Sequence, residues 1–279
     1  MVDINQIASN LVQAGDGLWI SKSHSPVSYP REGMDFTYQV EEHSYWFNHR
    51  NHCITSLVHQ FHLQGVLFDI GGGNGFVSQA IRRLGVETVL VEPDPTGSRH
   101  ALERGLKPVI SAALDDAAFY PGSMDAAGLF DVLEHIENDS AFLKQIHSLV
   151  KPGGHVFITV PAYQALWSID DVSAGHFRRY GLKDLCRLLS EAGFKIDFAT
   201  YIFFLLPLPI FCFRTLPSRF GWRKEVQLDD AATQNEYVSN SSLVDDIFSL
   251  ELHWLKNLKA LPFGGSCLVV ASRAESKRL

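Results

Sequence analysis

Gly65-Val66-Leu67-Phe68-Asp69-Ile70-Gly71-Gly72-Gly73-Asn74-Gly75-Phe76-Val77 decides the fold of this chain. Val66 to Ile70 is an apolar run holding one carboxylate, and it breaks into four glycines within five residues. Beyond it, Phe76, Val77, Ala80, Ile81 and Leu84 recur at the three-to-four spacing of a buried helix face. The pattern predicts a strand, a glycine-rich turn and a helix. Glycine tolerates positive φ and lets a ligand lie against the main chain, so such a turn serves where backbone and cofactor meet closely. The helix that follows starts with N–H groups that have no intrahelical acceptor.

Two cofactor classes use this arrangement. A dinucleotide site requires G-x-G-x-x-G/A, and both frames fail: the sixth position is Phe76 counted from Gly71 and Ser78 counted from Gly73. The chain reads Asp69-x-Gly71-x-Gly73-x-Gly75 instead. This resembles the first motif of class I S-adenosylmethionine-dependent methyltransferases. The resemblance implies that Gly71 and Gly73 admit the methionine and ribose portions of the cofactor, and that Asp69 organises contacts to its ammonium.

Downstream, a strand over Glu87 to Val91 ends in Glu92-Pro93-Asp94-Pro95. A carboxylate at the end of the second strand, about twenty residues past the first glycine, can accept bonds from both ribose hydroxyls. That spacing suits a dinucleotide equally, so Glu92 supports the fold without choosing the cofactor. A helix over Thr96 to Gly105 and a short strand over Pro108 to Ile110 lead to the loop Ser111–Asp116. By the resemblance this loop lies beside the adenine, which makes Leu114 and Asp115 candidates. The fourth strand, Asp125 to Phe130, places Phe130 among the cofactor contacts and runs into Asp131-Val132-Leu133-Glu134-His135-Ile136. A similar Leu-Glu-His stands under the transferred methyl in many small-molecule methyltransferases, ubiquinone-pathway O-methyltransferases among them. His135 is then expected near both sulfonium and acceptor. The Asn- or Asp-Pro-Pro-aromatic string typical of enzymes that methylate nucleobase or amide nitrogens is absent here, which disfavours a DNA enzyme of that kind.

A helix over Asp139 to Val150 ends at Lys151-Pro152-Gly153-Gly154, with the turn residues that stop a helix. The fifth strand, His155 to Val160, follows. The stretch from Val160-Pro161-Ala162-Tyr163 through Leu166-Trp167-Ser168 to Asp170-Asp171, and then Gly175-His176-Phe177-Arg178-Arg179-Tyr180, lies past its C-terminal end, where open α/β sheets bind ligands. It resembles a subgroup of uncharacterised bacterial methyltransferases that share these strings. Asp170, His176, Arg178, Arg179 and Tyr180 are expected to converge on an acceptor, with Tyr163 and Trp167 as further substrate contacts. The plain alternative makes the arginines structural and His176 a loop cap. Upstream, Glu42-His43-Ser44-Tyr45-Trp46-Phe47-Asn48-His49-Arg50 resembles the helix that covers the cofactor like a lid. Arg50 would then meet the cofactor carboxylate, the alternative being a surface arginine on an amphipathic helix. His49 and His52 read as packing or surface residues, and no metal is expected.

At 279 residues, 46% hydrophobic and 20% charged, the chain suits one large α/β domain with an insertion. A net charge of −7 argues against nucleic acid as a partner. Four scattered cysteines without a C-x-x-C pair read as reduced, mostly buried thiols, and the N-terminus is no secretory signal, so a cytoplasmic location is expected. The apolar run Tyr201 to Phe213 contains Pro207 and Pro209 and falls short of the roughly 20 residues of a bilayer span.

These readings combine into a Rossmann-like α/β fold: a seven-stranded, mostly parallel sheet with helices on both faces and an antiparallel last strand. The segments are an N-terminal helical lid (1–64), a cofactor-binding core (65–200), an insertion (201–262) and the last strand (263–279). After a helix over Leu182 to Ala192 and a strand over Phe194 to Ala199, the insertion holds the apolar run, an acidic stretch Asp229–Ser242 read as mobile, and a helix over Leu243 to Leu258. The apolar run reads as core by default, with a homodimer face or a wall for a lipid-like acceptor as the other readings. The function expected is transfer of a methyl group from S-adenosylmethionine to a small-molecule or lipid-like acceptor, on oxygen by preference, with His135 and His176 as catalytic candidates. The rivals are a dinucleotide-dependent oxidoreductase and a cofactor-binding scaffold without chemistry.

Overall fold

The computed structural model describes residues 2–23, 32–222 and 242–275. The part of the acidic stretch up to residue 241 and residues 24–31 of the loop Ser21–Arg31 lie outside the described residues.

The sheet has nine strands in the order β1-β2-β5-β4-β3-β6-β7-β9-β8. Its centre is β3 (Val66–Ile70), buried along its whole length and hydrogen-bonded in parallel to β4 (Glu87–Val91) and β6 (Met124–Phe130). A strand covered on both faces reads as a continuous apolar run, which is how Val66 to Ile70 reads. β5 (Val109–Ser111) and β7 (Val150–Pro161) extend the parallel part on either side. The last strand, β9 (Ser266–Arg273), inserts antiparallel between β7 and β8 (Phe194–Ile202).

Two strands exceed the seven expected. β1 (Leu11–Gln13) and β2 (Leu18–Ser21) form a hairpin, and β2 pairs in parallel with β5 through Leu18–Val109, Trp19–Ile110 and Ile20–Ser111. Residues 1–64 therefore extend the sheet as well as supplying helices. Three or four residues are too few to show a period, and these strands exist because β5 presents an edge to pair with. The Lys151–Gly154 turn also proves to lie within β7. Met124 pairs with Val150 and Ala126 with His155, so the four residues bulge out of the ladder.

Alternation along the strands sends side chains to two faces. Phe68, Val89, Leu129 and Ile158 pack with α6 (Asp139–Leu149) and α8 (Leu182–Glu191) on one. Leu67, Phe157, Leu268 and Val270 pack with α2 (Tyr45–Gln60), α3 (Phe76–Arg82) and the final helix (Ser242–Lys256) on the other. Two shorter helices, α1 (Glu32–Val40) and α4 (Pro95–Glu103), close the end where the cofactor motifs lie.

The segment after β8 is split in character. Tyr201, Ile202 and Phe203 are buried, whereas Leu205, Leu208, Phe213, Phe220 and Trp222 are exposed. Core packing thus accounts for the start of the apolar run only. The final helix is tied down by Glu251, whose buried carboxylate accepts from the N–H groups of Phe203 (2.7 Å) and Phe204 (3.0 Å) and lies 2.8 Å from His49 Nε2. Cys53 completes the cluster, 3.4 Å from the same imidazole nitrogen. His49 is therefore a packing residue, and His52 is exposed. All four cysteines are free; Cys53 and Cys267 are buried, Cys186 is half-buried and Cys212 is exposed. Among the described residues no helix is long and apolar enough to cross a membrane.

Glu251→Ala leaves two buried N–H groups and an imidazole without their acceptor. Breaking a buried charged hydrogen-bonding group of this kind costs roughly 3–5 kcal/mol, so urea denaturation should show a loss of that size. A loss indistinguishable from that of an exposed control such as Glu275→Ala would remove Glu251 from its anchoring role.

Candidate active site

A cleft of about 750 Å³ opens at the C-terminal ends of β3 to β6, within the range of small-molecule and cofactor sites. Its floor is the glycine turn after β3. Gly71 has φ +67° and donates its N–H to Val91 O at 2.7 Å; a methyl group in place of its hydrogen would fall 2.9 Å from Val132. Gly73 has φ +54°, and its N–H donates to Glu92 Oε2 at 2.8 Å. Only glycine adopts these angles without strain. Met34 and Thr37 of α1, Glu41 just beyond it, and Trp46, Phe47 and Arg50 of α2 also line the cleft.

Every residue expected to touch the cofactor lines this cleft: Arg50, Asp69, Gly71, Gly73, Glu92, Leu114, Asp115 and Phe130. Asp69 Oδ2 accepts from Ser78 Oγ at 2.7 Å, and Oδ1 is buried with no partner. Burial raises the Asp69 carboxyl to about 6, against the bond from Ser78 that favours its ionised form. The Glu92 oxygens accept one main-chain N–H each, from Gly73 and from Asp94 (2.7 Å). A carboxylate has about four lone-pair sites, so Glu92 retains capacity for hydroxyl donors. The orphaned oxygen of Asp69 and the spare lone pairs of Glu92 suit a ligand with an ammonium and a diol. Leu114 is buried, and Asp115 is exposed with Gln145 donating to its carboxylate.

Arg50 is held differently from its expected role. Its guanidinium pairs with Asp131 and lies 5.0 Å from the Trp46 ring centroid and 5.2 Å from that of Phe47. Asp131 was not singled out by the sequence reading, although it opens the string that ends in Leu133-Glu134-His135. It sits directly after β6 with φ +57° and accepts from Thr159 Oγ1 at 3.2 Å. Glu41, also missed, lines the cleft and bonds Arg104 at 2.7 Å; burial raises it to about 7.

The turn after β6 and the loop before Tyr180 bring both catalytic candidates to the same cleft. The rings of His135 and His176 meet edge to face, 4.7 Å between centroids. Burial, helped by His176, lowers His135 to about 4. Polar atoms of Glu134, His135 and His176 all come within 4.8 Å of one another. Burial, with Asp131 nearby, pushes the Glu134 carboxyl well above the carboxylate range. His176 follows the short helix α7 (Ile169–Ser173), and its Nδ1 lies 2.9 Å from Asp171 Oδ1.

The four residues expected at the substrate do not line the cleft. Tyr180 OH donates to Asp139 Oδ2 (2.9 Å) and to Leu133 O (3.2 Å), and Arg178 bonds Asp139 (2.8 Å) and Glu137 O (2.7 Å). Both fasten the loop to the start of α6. Tyr163 stacks on Tyr201 at 5.0 Å, and Trp167 is half-buried away from the cavity. Arg179 donates to Asp171 Oδ1 at 2.7 Å, and Asp170 lies 3.7 Å from Arg214. For the two arginines the physical reason is charge: a buried or half-buried guanidinium seeks a carboxylate, and Asp139 and Asp171 supply one each. No described residue of 201–262 lines the cleft either.

The model of the methyltransferase-domain family matches residues 46–197, more than half of the chain. The chain belongs to that family, the S-adenosylmethionine-dependent methyltransferases. This methyltransferase therefore takes S-adenosylmethionine as its cofactor, and the dinucleotide reading of its glycine turn falls away. A ubiquinone biosynthesis O-methyltransferase of Xanthomonas euvesicatoria pv. vesicatoria is 30% identical over 120 residues, 40% of this chain and 50% of that one. The protein of the same description from Proteus mirabilis is 34% identical over 100 residues, 33% of this chain and 40% of that one. The chain thus spans about half the length of the curated relatives it matches. Among solved structures, Haemonchus contortus phosphoethanolamine N-methyltransferase 2 with phosphomonomethylethanolamine and S-adenosylhomocysteine superposes with TM-score 0.56 at 17% identity, over 89% of this chain and 59% of that one. The [4+2]-cyclase SpnF does so with TM-score 0.54 at 17% identity, over 91% of this chain and 100% of that one. These two likenesses show the fold, and a fold shared by an N-methyltransferase and a cyclase does not choose a reaction.

Glu92 gives a pH signature. Burial first, opposed by its two main-chain bonds, raises its carboxyl from 4.5 to about 7. The folded chain then holds the proton more tightly than the unfolded chain. The resulting stability is complete below 4.5 and is lost as pH rises through about 7. In cofactor-free protein, wild type should lose up to roughly 3 kcal/mol across that window relative to Glu92→Gln, whose amide does not titrate. Urea midpoints of the two proteins that track in parallel across the window would contradict this environment for Glu92.

Proposed function

We propose that this methyltransferase moves the methyl group of S-adenosylmethionine to a hydroxyl oxygen of a small, largely apolar acceptor. The observation that carries this reading is the imidazole of His176, which lines the same cleft as the glycine turn. A sulfonium is already an activated methyl donor, so an enzyme supplies chiefly alignment. An oxygen acceptor must in addition lose a proton to a base near neutrality. His135, pushed down to about 4, is a weak base, which leaves His176 for that role and His135 as a wall of the acceptor site. Asp69 and Glu92 would take the ammonium and the ribose, and Leu114, Asp115 and Phe130 would surround the adenine. Arg50 would serve the cofactor carboxylate only by sharing itself with Asp131. An apolar acceptor agrees with Phe142, Ile136 and Val132 in the same cleft and with relatives described as ubiquinone biosynthesis O-methyltransferases. The division into lid, core, insertion and last strand, with the exposed apolar side chains after β8 as an oligomer or acceptor-delivery face, belongs to this proposal.

Calorimetric titration should show saturable binding of S-adenosylmethionine and S-adenosylhomocysteine and none of NAD or NADP. Asp69→Ala and Glu92→Ala should each weaken that binding at least tenfold. With alkyl catechols and alkyl phenols as acceptors and alkyl amines as controls, His176→Ala should lower turnover on the order of 100-fold or more while cofactor affinity stays within about twofold. Undiminished turnover in His176→Ala would sink the base assignment. Methylation of the amines alone would sink the oxygen assignment, and bound cofactor with no transfer to any acceptor would favour a scaffold.

A further inference from the structure

We propose that Asp171 is a positioning residue that fixes His176 in one tautomer, with Nδ1 protonated and the Nε2 lone pair turned to the cleft. The inference rests on His176 acting as the base, and it adds how that base is made ready.

Asp171 is 1% exposed, and four donors converge on it. Oδ1 accepts from His176 Nδ1 at 2.9 Å and from Arg179 Nε at 2.7 Å, and Oδ2 accepts from Ser168 N at 2.9 Å and lies 3.5 Å from Ser168 Oγ. A carboxylate is an acceptor only. These bonds, with the charge of Arg179, outweigh burial and hold the Asp171 carboxyl below the usual range, so it stays ionised. The nitrogen facing it must therefore carry a hydrogen, and in the neutral ring the lone pair is left on Nε2. Nε2 lies on the far side of the imidazole from Asp171, and the ring lines the cleft beside His135. The main chain reinforces the placement: His176 N–H donates to Asp171 O at 2.9 Å, so the aspartate grips the histidine through both backbone and side chain.

The spacing has a local cause. Ser168 and Asp171 form a capping box at the start of α7, which turns the Asp171 side chain back over the first turn. The helix spans only Ile169–Ser173, and the chain reverses at Gly175, φ +75°, to bring His176 back to the same carboxylate. Phe177 N–H then donates to Glu134 O at 2.8 Å, fixing the loop to the Leu133–His135 turn. Asp170, the neighbour favoured by the sequence reading, points to Arg214 instead.

The proton ledger closes on these residues. As the acceptor oxygen bonds to the methyl carbon, its proton passes to His176 Nε2. The carbon–sulfur pair stays on the sulfur, which becomes neutral. The imidazolium so formed lies against the ionised Asp171 until its proton leaves to solvent. The groups facing His176 in that state are Asp171 and Arg179 from its own loop and His135 and Glu134 from the turn after β6.

The test uses the full chain with uniformly ¹⁵N-labelled histidines, His176→Ala locating the signal. Long-range ¹H–¹⁵N correlation should report the Nδ1–H tautomer for neutral His176 in the wild type. In Asp171→Ala the signal should move mainly to the Nε2–H tautomer, which a neutral imidazole prefers when no acceptor faces Nδ1. Turnover of the alkyl catechols should fall on the order of 1,000-fold with cofactor affinity unchanged, and the acid limb of the pH–rate profile should shift to lower pH. Asp171→Glu, which keeps the carboxylate, should restore the wild-type tautomer. Arg179→Gln serves as a control, changing the charge beside Asp171 while leaving the tautomer in place. An Nε2–H tautomer in the wild type, or no change in Asp171→Ala, overturns the inference whatever the acceptor proves to be. If His176→Ala abolishes turnover while Asp171→Ala stays within threefold of wild type, the base reading stands and the positioning role fails. If His176→Ala remains active, the base reading fails by itself.

Discussion

The buried carboxylate of Glu92 is the constraint on which the cofactor end of this molecule depends. It joins two neighbouring strand ends by accepting the Gly73 N–H from the glycine turn and the Asp94 N–H from its own turn. The turn after β3 is thereby referenced to β4, and its positive φ angles are held in place. Behind it Asp69 is braced by Ser78 of α3, so strand, turn and helix form one rigid corner. Burying two carboxylates side by side is unfavourable, as their raised proton affinities show. Their unused lone pairs point to a ligand that donates hydrogen bonds and carries positive charge, and S-adenosylmethionine does both.

The loop after β7 answers a different problem, the placement of several charged side chains in one short string. Asp139 collects Arg178 and Tyr180 on the outside of the loop, and Asp171 collects Arg179 and His176 on the inside. One short string of residues is thus divided between fastening the loop and furnishing the cleft. Asp131 carries out both tasks at once, with Thr159 holding one of its oxygens and Arg50 of α2 taking the other. That single carboxylate ties α2 to the ends of β6 and β7.

Away from the cleft, Glu251 does for the final helix what Glu92 does for the glycine turn. It accepts the main-chain N–H groups that β8 leaves exposed as the chain turns away from the sheet. The helix is then locked onto α2 at His49, whose neighbours Trp46 and Arg50 line the cleft. Trp46 also stacks on Phe203, 5.5 Å between ring centroids. The segment between the last two strands therefore supports the site from behind, through α2, and no described residue of it forms a cleft wall.

The architecture was legible wherever one local pattern had one structural solution. The β3–turn–α3 corner, the strand at Glu87–Val91 and the helix at Asp139 matched their sequence patterns closely because apolar period, glycine and cap all agreed there. The expected cofactor residues line one cleft because strand ends in a parallel sheet converge by topology. The short hairpin of β1 and β2 was illegible because its strands are created by the edge of β5 and have no period of their own. That the expected substrate residues do not line the cleft has a related reason. Sequence by itself determined that His176, Arg178, Arg179 and Tyr180 share a loop at the ligand face. Only the tertiary structure decided which of them faces the cleft, because that choice belongs to Asp139 and Asp171, whose carboxylates lie within bonding distance only after the chain has folded.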